Sequence, residues 1–237
     1  MSSSAERFYD EIKIILERIA QTQGEQIQRA AGMIADSIAS DHILYLFGSG
    51  HSVAAAIEGY YRAGGLAPVD VIYDPTFGRA ERLEGYAEVL LKEYHVEEGS
   101  VVVIISNSGR NAVPVEMALE CAQRRISTVA ITSLAHSRSV GSRHSSGKRL
   151  FEIADLVIDN CGIPGDAILE IEGLPGRAVP TSGIAGTFIL DSMLAGAIEN
   201  LAARGEVPPV FISANVDGGD EHNEALLNRY RGRVRGL

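Results

Sequence analysis

The sequence predicts an α/β protein built on a parallel sheet that carries helices on both faces. Two observations predict it. Short, uninterrupted apolar runs alternate with helix-like stretches, and one strand–turn–helix unit occurs twice. The first copy is Ile43-Leu44-Tyr45-Leu46-Phe47, then Gly48-Ser49-Gly50-His51-Ser52, then VAAAIEGYYRA. The second is residues 101–105, then Ser106-Asn107-Ser108-Gly109-Arg110-Asn111, then AVPVEMALECAQRR. Strands that are apolar along their whole length are buried on both sides, and their alternation with helices is the mark of parallel βαβ units.

Taken in order, residues 5–20 repeat Phe8, Ile12, Ile15, Leu16 and Ile19 at helical spacing, and 24–39 do so with Ile27, Ala31, Ile34 and Ile38. These helices make an N-terminal segment, residues 1–40. The sheet domain follows over 41–205, with further apolar runs at 126–131 and 154–158. Between them, 133–149 holds six serines together with Arg138, Arg143, His144, Lys148 and Arg149. It reads either as a solvated loop or as a lid over an anion. Residues 182–204 form a long apolar helix, placed under the sheet or at a subunit interface. The tail, 206–237, carries Arg229, Arg231, Arg233 and Arg235 and reads as a frayed, solvated end.

Composition narrows the function classes. The formal charge of −10 argues against a basic nucleic-acid surface, and no helix-turn-helix extension stands before residue 41. The two cysteines, Cys121 and Cys161, form no CxxC pair and suit a reducing compartment. The N-terminus is charged throughout, unlike a signal peptide, and no uninterrupted apolar run reaches membrane length. The expectation is a cytoplasmic protein without a membrane span.

The chemistry concentrates in the turns. In a parallel sheet, ligands bind outside the carboxyl ends of the strands, and 48–52, 106–111 and 132–137 fall there. Residues 106–111 lead into a helix with Asn111 at its N-cap and Pro114 in its first turn. Free N–H groups and the helix dipole favour an anion there. Ser106 and Ser108 add hydroxyls, and Gly109 supplies a close backbone approach or positive φ. Arg110 either faces the anion or points to solvent. The P-loop is excluded, because Gly147-Lys148 is followed by Arg149. The dinucleotide fingerprint begins at Gly48 and Gly50 but meets Val53 at its third position, which leaves NAD, with Asp70 as ribose acid, a weak alternative. No cofactor is called for.

Strand–GSGHS–helix, strand–SNSGRN–helix and a strand ending Thr132-Ser133 together resemble the SIS (sugar isomerase) domain over about residues 30–205. Within it the chain is similar to a bacterial group related to phosphoheptose isomerase and to the isomerase half of glucosamine-6-phosphate synthase. The resemblance implies a five-stranded parallel sheet in a three-layer α/β/α sandwich, preceded by the N-terminal helices. It also implies a phosphorylated sugar or amino sugar as ligand and a homodimer or homotetramer with sites between subunits. It implies a phosphate held by Ser106, Ser108, Asn111 and Ser133, with Ser49 on the sugar, and the same turns add Gly50, Ser52, Asn107, Gly109 and Thr132 as candidate contacts.

Aldose–ketose isomerisation needs a base at C2 and a group that moves protons between oxygens. The resemblance implies Glu58, two turns beyond GSGHS as in phosphoheptose isomerase, and Glu170, before Thr181-Ser182-Gly183 as in glucosamine-6-phosphate synthase, as the candidate bases. Glu172, Glu81 and Glu84 are further carboxylates. His51, inside the first turn, and His222, on the polar tail, are the candidate proton carriers. His51, Cys161 and His222 have no metal-ligand spacing, so no metal is expected. The expected activity is a phosphosugar isomerase. A phosphosugar lyase or etherase and a non-catalytic phosphosugar sensor are the alternatives.

Overall fold

The computed structural model describes residues 3–237. Strands β1 (Leu44–Gly48), β2 (Val69–Ile72), β3 (Val101–Ile105), β4 (Ser127–Thr132) and β5 (Leu156–Asp159) form one parallel sheet in the order β2-β1-β3-β4-β5. The expected five-stranded α/β/α sandwich is present. Register brings the strand ends level: Gly48 pairs with Ile105, and Ile105 with Ile131.

Successive strand residues point to opposite faces, so an all-apolar strand feeds two cores. Leu44, Leu46, Val101, Val103 and Ile105 face one core, built with α1 (Ser4–Thr22), α2 (Gly24–Ala39), α3 (Val53–Glu58) and α7 (Ser182–Ala203). Tyr45, Phe47, Val102 and Ile104 face the other, built with α4 (Tyr86–Lys92), α5 (Ala112–Gln123) and the chain's last residues. The short α6 (Leu134–Ser139) follows β4, and α8 (Gly219–Tyr230) lies in the tail.

The N-terminal helices form where periodicity places them. Ser3 and Glu6 close a capping box on α1, and Ile12, Ile15 and Ile19 are buried. α1 and α2 share one core with the sheet. Of the two placements open for the 182–204 helix, the structure gives the one under the sheet, against α2. An added Cβ at Gly196 would stand 2.9 Å from the Ala31 side chain, so glycine permits this approach. By length and composition α7 could cross a membrane, but half of its apolar window is buried inside this fold.

Two features depart from the sequence reading, the hairpin and the tail, and segment 133–149 takes an ordered form. The antiparallel hairpin β6 (Ala167–Glu170) and β7 (Arg177–Pro180) was not expected. Segment 133–149 is tied down: Arg143 N–H donates to Arg110 O at 2.8 Å and Leu150 N–H to Gly109 O at 2.8 Å. The tail is docked, not frayed. Tyr230 is 1% exposed, and Arg229 and Arg233 reach the Asp41 carboxylate at 3.1 and 3.0 Å. Arg235 N–H donates to the buried Asp70 carboxylate at 2.9 Å, and Tyr60 OH donates to Arg235 O at 2.8 Å. A ring seeking burial and a carboxylate needing donors hold the end in place. Asp70 therefore serves the fold: burial pushes its pKa up, and the Arg235 and Val71 N–H groups offset this only in part.

Tyr230→Ala should cost about 3 kcal/mol or more in urea unfolding, as removal of a buried aromatic does. A loss below about 0.5 kcal/mol would restore the frayed-end reading. Asp41 supplies a pH test. Burial raises its pKa, but Arg229 and Arg233 outweigh burial and hold it below 3.8. Its contribution is complete above that value and disappears as pH falls through the depressed folded one. Asp41→Asn should lose about 0.5 kcal/mol at pH 7, and the loss should shrink as the pH is taken down below 3.8.

Candidate functional site

The strand order reverses between β1 and β3, which opens a crevice at their carboxyl ends. The turns at 48–52 and 106–111 stand on its two sides. In the second turn, Ser106 N–H is held by Ile131 O at 3.0 Å, and Ser106 Oγ accepts from Gly109 N–H at 3.3 Å. The backbone N–H groups of Asn107, Ser108, Arg110, Asn111 and Ala112 have no acceptor among the described residues. Asn111 is only 9% exposed and Ala112 is fully buried. The next helical donor, Val113 N–H, is taken by Glu81 O at 3.0 Å, and Pro114 has none. A buried donor left unpaired costs about 1–3 kcal/mol. The turn is therefore an anion nest at a helix N-terminus.

Gly109 shapes the nest. Its φ is +56°, and an added Cβ would lie 3.1 Å from both Ser137 Oγ and Thr132 Oγ1. Asn107 is fixed from behind by Ser133 N–H at 3.0 Å, Thr132 Oγ1 at 3.2 Å and Asn160 Nδ2 at 2.9 Å. Ser108 is half-buried with a free hydroxyl. Asn111 stands at the N-cap, as expected, but does not cap. Its Oδ1 accepts from Arg143 Nη1 at 2.9 Å instead.

The first turn is a short 3-10 helix over Gly50–Ser52. Gly50 and His51 N–H groups also lack acceptors among the described residues. Ser49 Oγ donates to Glu81 Oε2 at 3.3 Å, which brings one carboxylate between the two turns. Glu81 sits on the loop 73–85, which Asp74 organises. Asp74 accepts from Thr76 N–H, Thr76 Oγ1, Gly78 N–H and Tyr86 OH at 2.7–3.1 Å. Burial alone would raise its pKa, but those bonds outweigh it and hold the carboxyl ionised. Gly78 lies against Gly50, leaving no room for a side chain. The Asp-Pro-Thr start of this loop is a turn signal that sequence reading could have used.

The expectation for the third turn needs correction. Thr132 and Ser133 are fully buried. Thr132 Oγ1 donates to Asn107 O, and Ser133 Oγ donates to Gly162 O at 2.6 Å while capping α6 at His136 N–H. Their hydroxyls hold the nest from behind and offer nothing to a ligand. The basic segment does approach the site. Ser145 N–H and Oγ donate to Glu84 at 2.7 and 2.6 Å, tying 140–149 to the loop 73–85.

The proposed catalytic residues are spread out. His51 is exposed on the first turn, beside Ser49. Glu58 ends α3, pairs with Arg62 and lines a depression with Asp191 and Leu194. Glu170 projects from the hairpin, 82% exposed, and pairs with Arg177 at 3.3 Å. His222 lies on α8 with Nε2 2.9 Å from Val210 O. Within one chain only His51 stands at the open turns. Among the described residues no group of His, Cys, Asp and Glu has metal-holding geometry. A cavity of about 700 Å³ lined by Tyr60, Tyr73, Tyr86 and Tyr94 lies at the free edge of β2 and shares no residue with either turn.

Comparison with known proteins gives a consistent result. A family model described as the SIS domain matches residues 7–133. A UPF0309 protein of Shouchella clausii is 40% identical over 242 residues, covering 98% of each chain. One from Listeria monocytogenes is 41% identical, covering 96% of this chain and 97% of its own. Among solved structures, a phosphoheptose isomerase from Francisella tularensis superposes with a TM-score of 0.59 at 13% identity, over 84% of this chain and all of its own. The Vibrio vulnificus NanR protein complexed with ManNAc-6P gives 0.57 at 14%, over 96% of this chain and 70% of its own.

Gly109→Ala tests the nest. The substitution should cost about 1–2 kcal/mol in unfolding, the usual penalty of a side chain in this conformation. It should also abolish saturable binding of inorganic phosphate measured by calorimetry. Unchanged stability and binding would place the anion elsewhere.

Proposed function

The chain belongs to the SIS domain family, and from that premise we propose that it binds a phosphorylated sugar or amino sugar and isomerises it by deprotonation at C2. The observation that carries the reading is the open backbone nest at Asn107–Ala112, set at the β1/β3 crevice. The phosphate sits on these N–H groups with the Ser108 hydroxyl, and the sugar extends toward Ser49, Gly50 and His51. Phosphoheptose isomerase and NanR holding ManNAc-6P share this fold, which supports a sugar phosphate as ligand. The protein acts in the cytoplasm as a homodimer or homotetramer on this reading.

Isomerisation requires a carboxylate near C2. Glu81 fits best within one chain, because Ser49 orients it between the two turns. Its main-chain carbonyl, bonded to Val113, fixes its distance from the nest. His51 then moves the proton between O1 and O2. Glu58, Glu170 and His222 rank behind, since each is engaged away from the open turns.

Incubation with glucose, glucosamine and N-acetylmannosamine 6-phosphates in deuterated water, followed by NMR, tests the reading. Exchange of the C2 proton with a ketose product is expected. Ammonia accompanies the ketose from glucosamine 6-phosphate; loss of the C2 signal with release of a substituent from C3 indicates a lyase, and binding without exchange indicates a sensor. Glu81→Gln should slow exchange about 100-fold or more while keeping affinity. Glu58→Gln and Glu170→Gln should stay near wild type. Ser108→Ala should weaken binding by about 1–2 kcal/mol.

A further inference from the structure

Three arginines surround the α5 N-terminus, and none has a carboxylate partner among the described residues. Arg110 belongs to the nest turn, and its Nε is buried without a hydrogen-bond partner. Arg143 is placed there twice, through its N–H to Arg110 O and its guanidinium to Asn111 Oδ1. Arg82 follows Glu81, whose carbonyl holds Val113 N–H. Eight other arginines pair with carboxylates, as Arg204 does with Asp36 and Arg149 with Glu152, and seven more stand singly without an ion pair among the described residues. Like charges gathered without counterions repel, and the chain as a whole is acidic.

The electrostatics agree. Burial first, then Arg110 and Arg82, push the Arg143 pKa down, with Glu81 opposing. Burial and then Arg110 push the His136 pKa down, with Asp166 opposing. Glu81 is the carboxylate that acts on Arg143, while Glu84 and Glu116 stand beside the 140–149 segment with Ser145 and His144 as their partners. A phosphate monoester carries close to two negative charges at neutral pH. A sulfate ester of the same shape carries one.

On the footing of the phosphosugar reading, we propose that Arg82, Arg110 and Arg143 form a guanidinium clamp that selects the dianionic phosphate monoester over monoanionic isosteres. The backbone nest gives directional bonds to the phosphate oxygens, and the arginines give the charge discrimination. Two of them arrive on separate loops, joined by the Glu84–Ser145 bonds, so the clamp closes from both sides.

Calorimetric titration with glucosamine 6-phosphate and glucosamine 6-sulfate at pH 7.5 tests this in wild type, Arg82→Gln, Arg110→Gln and Arg143→Gln. Thermal unfolding confirms that each variant folds. Wild type should prefer phosphate by about tenfold or more. Each substitution should weaken phosphate binding about tenfold and sulfate binding no more than about threefold, as loss of a charged hydrogen-bond partner implies. Folded variants that keep wild-type phosphate affinity, or a wild type that does not discriminate, would overturn the clamp and leave the phosphosugar reading standing. Binding of neither ester by wild type would overturn both.

Discussion

Unpaired backbone donors at the end of β3 are the constraint on which the site depends. A turn that leaves five N–H groups without acceptors, two of them on buried residues, is costly, and it persists only where neighbouring structure holds it open. Here the support is specific. β4 grips Ser106 through Ile131 O, and Thr132, Ser133 and Asn160 hold Asn107 from behind. Glu81 takes the Val113 donor, and Pro114 removes another. What remains stands at the edge of the crevice where the strand order reverses.

This accounts for side chains that a contact-by-contact reading would assign to the ligand. Thr132 and Ser133 form the rear of the nest. Asn111 leaves its capping bond unmade and receives Arg143, which joins the 140–149 segment to the site. The loop 73–85 does the same from the opposite side, its shape fixed by Asp74. Preorganised donors and charge of this kind lower the cost of binding, because little reorganises when the anion arrives.

Much of this was legible in the sequence. All-apolar strands alternating with helices required a parallel sheet, and Ser106–Asn111 was readable as an anion turn because glycine, serine and a helix start coincide there. Burial was not legible. Thr132 and Ser133 look like any polar turn until Gly162 and Asn107 are seen to use their hydroxyls. The tail's four arginines gave a solvated reading because the pairing with Asp41 and Asp70 spans most of the chain length. The same holds for Glu81, which meets Ser49 only once Gly78 has packed against Gly50. Long-range partners of this kind leave no local pattern.

Amide chemical shifts of nitrogen-15-labelled protein, titrated with glucosamine 6-phosphate, report on the nest donors directly. Saturable shifts should be largest at Asn107, Ser108, Arg110, Asn111 and Ala112, with smaller ones at Gly50 and His51. Saturable shifts confined to the tyrosine-lined cavity, with the nest amides unmoved, would contradict phosphate binding at the nest.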